Sequence, residues 1–250
     1  MELKKIRDLS IVELDHNNTL VIACDSCGAI GMKEGDAFKV LPFYVGKFTA
    51  RVALLEVICS GAKVIAITNN VCNEMEPTAL EVIEGIKAEL SEALIEETVL
   101  TGSTEENFKT ISTAVGITAV GTVKPNELRL NSIKVPSVII AVGYPKVGDE
   151  IDLTEDQEVV TYSQIKELQA IEGVYEIVPV GSKGIAYECG QLAICNNLYL
   201  ELEEKQNIDL TKSGGPATCV IAAVSESILG HILLKIPNVN MVGRLIDYDK

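Results

Sequence analysis

The chain has 250 residues, 47% hydrophobic but only 4% aromatic and without Trp, so one large domain or two small ones would be built on Val, Ile, Leu and Ala. A formal net charge of −15 argues against general binding to nucleic acid or anionic membranes, whose phosphates repel such a protein; a local cationic pocket for a small phosphate stays compatible. No N-terminal apolar leader is seen and no apolar run nears the roughly 18 residues of a membrane span, so the seven scattered Cys read as reduced thiols of a cytoplasmic protein.

In chain order, residues 20–24 form a short apolar run between Asn17-Asn18 and Asp25-Ser26 and read as a buried strand. Residues 36–45 read as a second strand. Residues 46–60 read as a helix, with Phe48, Val52, Leu55 and Cys59 on one face and Thr49, Ala53, Glu56 and Ser60 beside them; Gly61 fits its stop. Residues 64–68 follow as a strand. Pro77 fits the first turn of a second helix whose core stripe would be Leu80, Ile83, Ile86, Leu90 and Ala93. Strands are expected at 99–101 and 113–123.

A turn at 124–127 and Pro136 place a domain boundary near residues 124–136, giving an N-terminal domain at 1–130 and a C-terminal domain at 131–250. Beyond it, strands are expected at 137–142, 175–180, 198–203, 217–224 and 240–246, and helices at 161–170 and 184–196. Strands and helices interleave without a strict Rossmann rhythm, so the fold class is α/β of the α+β type, in two lobes.

Residues 99–107, Val-Leu-Thr-Gly-Ser-Thr-Glu-Glu-Asn, read as a strand ending in a small, hydroxyl-rich turn followed by two carboxylates. Free backbone N–H groups in such a turn can meet phosphate, and carboxylates can hold a hard cation such as Mg²⁺. The same residues could equally form a polar loop, with Thr104 as the cap of a short helix. Asp25 would stand at a strand end, well placed for a cleft, or cap its own turn. Glu56 is either bound to a cation or an exposed residue paired with Arg51 or Lys63. Lys183, in Gly181-Ser182-Lys183-Gly184, and Lys212, in Lys212-Ser213-Gly214-Gly215-Pro216, could neutralise phosphate or be ordinary surface lysines.

Cys24 and Cys27 form a lone C-x-x-C without further zinc ligands, and two buried reduced thiols are the simpler reading; neither His16 nor His231 has ligand spacing. Walker A, G-x-G-x-x-G, G-x-S-x-G and H-E-x-x-H patterns are absent.

The order of these motifs resembles the aminoimidazole-ribonucleotide synthase-like superfamily, which includes thiamine-monophosphate kinase, selenophosphate synthetase and a hydrogenase maturation factor. Leu20-Val21-Ile22-Ala23-Cys24-Asp25-Ser26 is similar to its strand ending Thr-Thr-Asp. The segment from Val52 through Glu56 to Gly61-Ala62-Lys63 resembles its helix Asn-x-Ser-Asp-x-x-x-x-Gly-Ala, and Thr101-Gly102-Ser103-Thr104 its Gly-Gly-Asp/Glu-Thr turn. Gly181-Ser182-Lys183-Gly184 resembles a Ser-Asp-Gly turn that opens a C-domain helix, and Ser213-Gly214-Gly215 a later Gly-rich turn.

The resemblance implies an N-terminal lobe that binds ATP and Mg²⁺ and forms a homodimer through its strands, and a C-terminal lobe that completes a cleft for a small substrate. It makes Asp25, Glu56, Glu105 and Glu106 candidate metal ligands. Gly102, Ser103, Thr104, Asn107 and Ser26 become candidate nucleotide contacts, and Lys183 and Asp25 candidate catalytic residues. The family acid of the third motif is Ser103 here, and the Asp of Ser-Asp-Gly is Lys183.

Thr101-Gly102-Ser103-Thr104-Glu105-Glu106-Asn107 and Phe48-Thr49-Ala50-Arg51-Val52-Ala53-Leu54 are most similar to the branch called α-ribazole kinase. That branch phosphorylates the 5′-hydroxyl of a dimethylbenzimidazole nucleoside in salvage of the cobalamin lower loop. The rival expectations are a synthase-type ATP-driven ligation, a thiamine-monophosphate kinase-like enzyme, a noncatalytic nucleotide-binding regulator, and a thiol redox protein.

Overall fold

The computed structural model describes residues 2–248. The chain divides into two compact units. One runs through Ile58 and resumes over Ala62–Asn126; the other takes Cys59–Gly61 and the residues from Glu127 onward.

In chain order the first unit contains β1 (Glu2–Ile6), β2 (Leu9–Glu13), β3 (Thr19–Gly28), β4 (Ile30–Gly31) and β5 (Phe38–Lys39). Then come α1 (Pro42–Cys59), β6 (Lys63–Val71), α2 (Leu80–Glu92), β7 (Val99–Thr104) and β8 (Ala114–Val123). Six strands form a mixed sheet in the order β1-β2-β3-β8-β6-β7, in which only β6 and β7 run parallel. Parallel neighbours need a crossover, and α2 supplies it. The mixed sheet and its helices match the expected fold class.

Period-two alternation decides the faces of this sheet. Val115, Ile117, Ala119, Gly121 and Val123 of β8 are buried, and the residues between them are half-buried. Val21 and Ala23 of β3 and Val64, Ile67 and Val71 of β6 join the buried face. The two helices meet at glycines: a Cβ on Gly46 would lie 2.0 Å from the Val82 carbonyl oxygen, and one on Gly85 1.9 Å from that of Phe43. Beside this crossing, Arg51 Nη1 of α1 lies 3.4 Å from Glu89 Oε1 of α2, with both residues buried.

Four local expectations are corrected. Residues 36–45 yield only the short β5, and α1 already begins at Pro42, where proline's fixed φ suits a first turn. β3 does not end at Cys24, because Asp25, Ser26, Cys27 and Gly28 pair with Ile117, Gly116, Val115 and Ala114 of β8. The 102–104 segment is strand rather than turn, and no helix follows Thr104. On α2 the buried stripe is Val82, Gly85, Ile86, Glu89 and Leu90, while Leu80 is 45% exposed.

The second unit contains β9 (Ser137–Val142), α3 (Tyr162–Ala170), β10 (Val174–Pro179), α4 (Gly184–Cys195), β11 (Tyr199–Leu202), β12 (Val220–Ser225), α5 (Leu229–Lys235) and β13 (Val239–Ile246). Its sheet is antiparallel throughout, in the order β10-β12-β9-β13-β11. Every residue of the central β9 is buried, which explains its unbroken apolar run. Ile185, Cys189 and Leu192 of α4 pack into the cluster built on Ile139, Ala141 and Ile221. Thr161 caps α3, accepting from the Gln164 N–H at 3.2 Å while Gln164 Oε1 accepts from the Thr161 N–H at 2.8 Å.

Candidate functional site

Strand register places the first candidate. Asp25 pairs with Ile117 on β8, Ile117 with Asn69 on β6, and Asn69 with Gly102 on β7. The four residues form one row across the sheet, with Asp25, Ile117 and Asn69 on its helix-covered face. Asp25 is half-buried, and burial pushes its carboxyl up to about 6, although the Ser26 N–H pulls the other way. Cys27, two residues on, has its thiol pushed up by burial and by the Asp25 charge.

Three inter-strand steps of about 4.8 Å separate Asp25 from Gly102, roughly 14 Å in all. A Mg²⁺ ion holds its ligands at about 2.1 Å, so one ion cannot touch both ends of the row.

The carboxylates near β7 are turned to local work. Glu106 Oε1 accepts from the Thr104 hydroxyl at 2.7 Å and the Met75 N–H at 2.9 Å. Glu105 Oε1 accepts from the Asn107 N–H at 2.6 Å. Glu56 stands on α1 rather than near β7. Its neighbour Val57 abuts Gly121, whose partner on β3 is Val21, about four strand residues or 13 Å short of Asp25. Lys63, one expected partner of Glu56, lies 3.1 Å from Glu97. The sequence reading grouped Asp25, Glu56, Glu105 and Glu106; the structure separates them, and among the described residues no three His, Cys, Asp or Glu side chains converge on one ion position.

A cavity of about 400 Å³ lies within the first unit, against β7. Residues 100–104 and Asn69 line one side; Met75, Ile83 and Lys87 line the other. Gly102, Ser103 and Thr104 thus border a ligand-sized cavity, but as an edge strand whose inner N–H groups serve the ladder to β6. The residue that reasoning from sequence missed is Asn69. Its only signal is a polar side chain at a core-facing step of an apolar strand.

The loop after β7 is clamped by three acceptors. Asp36, buried, accepts from the Thr113 N–H (2.6 Å), the Thr113 hydroxyl (2.7 Å) and the Ser112 hydroxyl (2.9 Å). Glu74 meets Lys33 Nζ at 2.7 Å and accepts from the Thr110 N–H at 2.8 Å. Asn73 Oδ1 accepts from the Ala114 N–H at 3.0 Å. Burial works against ionisation of Asp36, yet those donors hold its carboxyl low; the Lys33 ammonium holds Glu74 well below the carboxylate range.

Acids whose folded pKa is depressed stabilise the fold above their unfolded values and lose that contribution as pH falls. Hydrogen exchange corrected for intrinsic rates is therefore expected to show the Thr110 and Thr113 amides less protected at about pH 3 than at about pH 6, before the β3–β8 ladder opens. Equal protection at both values would contradict the clamp.

Cys24 is exposed, contrary to the buried pair expected, and Cys27 is half-buried. Three residues apart on a strand, they project from opposite faces and cannot form a redox pair there.

In the second unit the two Gly-rich turns come together. The Gly214 N–H donates to the Gly181 carbonyl at 3.0 Å, and Gly184, at φ +80°, leaves no room for a Cβ beneath the Leu210 and Lys212 carbonyls, each 2.8 Å away. Lys183 immediately precedes α4, with Nζ 4.3 Å above the Tyr187 ring, and Lys212 pairs with Glu150 at 2.7 Å.

With this geometry established, comparison with known proteins fixes the fold as AIR synthase-like. Residues 7–123 match the family model described as AIR synthase related protein, N-terminal domain. Thiamine monophosphate kinase from Aquifex aeolicus superposes with a TM-score of 0.67 at 15% identity, over 97% of this chain and 90% of that one. E. coli HypE, a hydrogenase maturation protein, superposes with a TM-score of 0.67 at 14% identity, over 96% and 85%. T. maritima PurL complexed with ADP gives 0.68 at 15% identity, over 96% of this chain but 42% of that one. A further similar structure is AaThiL complexed with AMPPCP and TMP, at 15% identity and a TM-score of 0.66, over 96% and 84%. No curated protein sequence matches the chain.

Proposed function

We propose that the protein is an ATP-dependent enzyme of the AIR synthase superfamily that transfers a phosphoryl group to a small-molecule alcohol, with α-ribazole as the acceptor and cobalamin lower-loop salvage as its setting. The observation that carries this reading is the cavity bordered by Gly102, Ser103 and Thr104, in a chain whose fold is shared by proteins crystallised with AMPPCP or ADP. The choice of α-ribazole rests on the motif resemblance around residues 48–54 and 101–107.

In this reading the cavity holds the nucleotide. Asp25 would hold Mg²⁺ together with the nucleotide's phosphates, the usual mode for an ion that keeps several waters and takes one or two carboxylates. The donor chemistry fits: Asp25 is an acid that burial leaves short of solvation, on the same sheet face as the cavity. The bound ion would supply charge neutralisation at the phosphates. Asn107 is proposed to contact the nucleotide, Lys183 to act as a phosphate-neutralising cation, and Glu105 or Glu106 to hold any further ion; Ser26, paired with Gly116, lies on the opposite sheet face from Asp25, and Glu56 stands apart on α1. Product analysis tests the class: a kinase leaves a phosphorylated acceptor, whereas a synthase-type enzyme releases free phosphate with its ligated product.

A nucleotide-binding regulator without catalysis is the second reading, favoured by the engagement of Glu105 and Glu106 with local backbone. ATP affinity without turnover on any acceptor would support it.

The protein is further proposed to be a homodimer formed through the open face of the first sheet. That face carries Ile22, Cys24, Gly116, Thr118, Val120 and Thr68, a patch without charged side chains in a chain of net charge −15. Thr118→Arg, at its centre, is expected to halve the mass seen by analytical ultracentrifugation; a wild-type monomer would contradict the dimer. Among the described residues no helix is long and apolar enough to cross a membrane.

A further inference from the structure

Asn69 is 3% exposed and stands between the core residues Ile67 and Val71 on the buried side of β6. A buried carboxamide ordinarily finds partners, because an unmet one costs free energy. No protein group among the described residues hydrogen-bonds this one; it lines the cavity instead. The neighbouring strand makes room for it: a Cβ on Gly102 would lie 1.7 Å from Asn69 Oδ1 and 2.5 Å from its Cγ. The same Cβ would lie 2.4 Å from the Asn69 carbonyl oxygen, so glycine at 102 clears both the backbone and the side chain of Asn69.

A carboxamide presents a donor and an acceptor side by side, the complement of a nucleobase edge that carries an acceptor beside a donor. Leu100 and Ile83 supply apolar walls for a ring, and about 400 Å³ falls in the range of small-ligand pockets. We propose that Asn69 is the residue that recognises the base of the bound nucleotide, with Gly102 holding its side chain in position. This rests on the nucleotide reading above and adds the group that distinguishes a nucleotide from a bare polyphosphate.

The test is calorimetric binding of Mg·ATP and of Mg·tripolyphosphate, which lacks a base, to the wild type, Asn69→Leu and Gly102→Ala, with thermal unfolding of each ligand-free protein. Leu keeps the branch at Cγ and needs no hydrogen bond, although its side chain is larger than that of Asn. Asn69→Leu is expected to bind ATP about tenfold or more weakly while binding tripolyphosphate as the wild type does, and Gly102→Ala, which crowds the Asn69 side chain and backbone alike, to weaken ATP binding at least as much. Unfolding of ligand-free Asn69→Leu separates any packing cost of the substitution from its effect on binding. A merely structural Asn69 would show the reverse, a lower melting temperature with ATP affinity unchanged, and would overturn the proposal. Equal weakening toward ATP and tripolyphosphate would overturn it too. A wild type that binds tripolyphosphate no less tightly than ATP would remove base recognition while leaving phosphate binding; a wild type that binds neither would overturn the nucleotide reading itself.

Discussion

Asp25→Asn is expected to lower Mg·ATP-dependent phosphoryl transfer by about 100-fold or more, the usual cost of removing a fixed charge that stabilises a transition state. The substitution keeps the shape of the side chain and its place in β3 beside Ile117, so the fold is retained. Its effect on stability runs the other way. Burial raises the folded pKa of Asp25 to about 6, above the ordinary aspartate value of 3.8. Between those values the folded protein binds a proton that the unfolded chain does not, so stability falls as pH rises through the window. Above it the charged carboxylate sits at full cost. Denaturant unfolding in EDTA should thus find Asp25→Asn more stable than the wild type at about pH 8, by about 1–2 kcal/mol after discounting for the water that still reaches the group. The difference should vanish below about pH 4. A variant with full activity and unchanged Mg²⁺ dependence would remove Asp25 from the site.

Gly85→Val is expected to destabilise the first unit by about 3 kcal/mol or more. The added Cβ would lie 1.9 Å from the Phe43 carbonyl oxygen and 2.8 Å from the Lys47 nitrogen, both backbone atoms of α1 that no rotamer change can move aside. Relief requires α1 and α2 to separate. That would loosen the packing of Leu54 and Ile86 and draw Glu89 from Arg51, leaving buried charge less well paired. Gly190, on α4, is the control: a Cβ there meets nothing within 4 Å, and Gly190→Ala should stabilise by about 0.5–1 kcal/mol through helix propensity. Urea unfolding separates the two. A loss below about 1 kcal/mol for Gly85→Val would contradict the close crossing.

Much of the second unit was legible because its signals are local. An unbroken apolar run marked β9, and a polar cap followed by a periodic stripe marked α3. The strands β1 and β2 escaped because Glu2, Lys4 and Lys5 hide an edge strand's pattern, and α5 because seven residues with Leu233 and Leu234 exposed show no core stripe. Asp25-Ser26 and Thr101-Gly102-Ser103-Thr104 have turn chemistry and were read as turns. Both are strand, since pairing with β8 and β6 outweighs local preference. The same non-local register separates carboxylates that chain order had grouped. It also places Asn69 beside Gly102, a juxtaposition no single segment reveals.

The most direct test of the central claim is phosphoryl transfer from Mg·ATP to α-ribazole, read by mass spectrometry, with thiamine monophosphate and unrelated nucleosides as controls. The expected result is α-ribazole gaining one phosphate, no change in the controls, and loss of product with Asp25→Asn. No phosphorylated α-ribazole from a protein shown separately to bind ATP would contradict the assignment of this chain as an α-ribazole kinase.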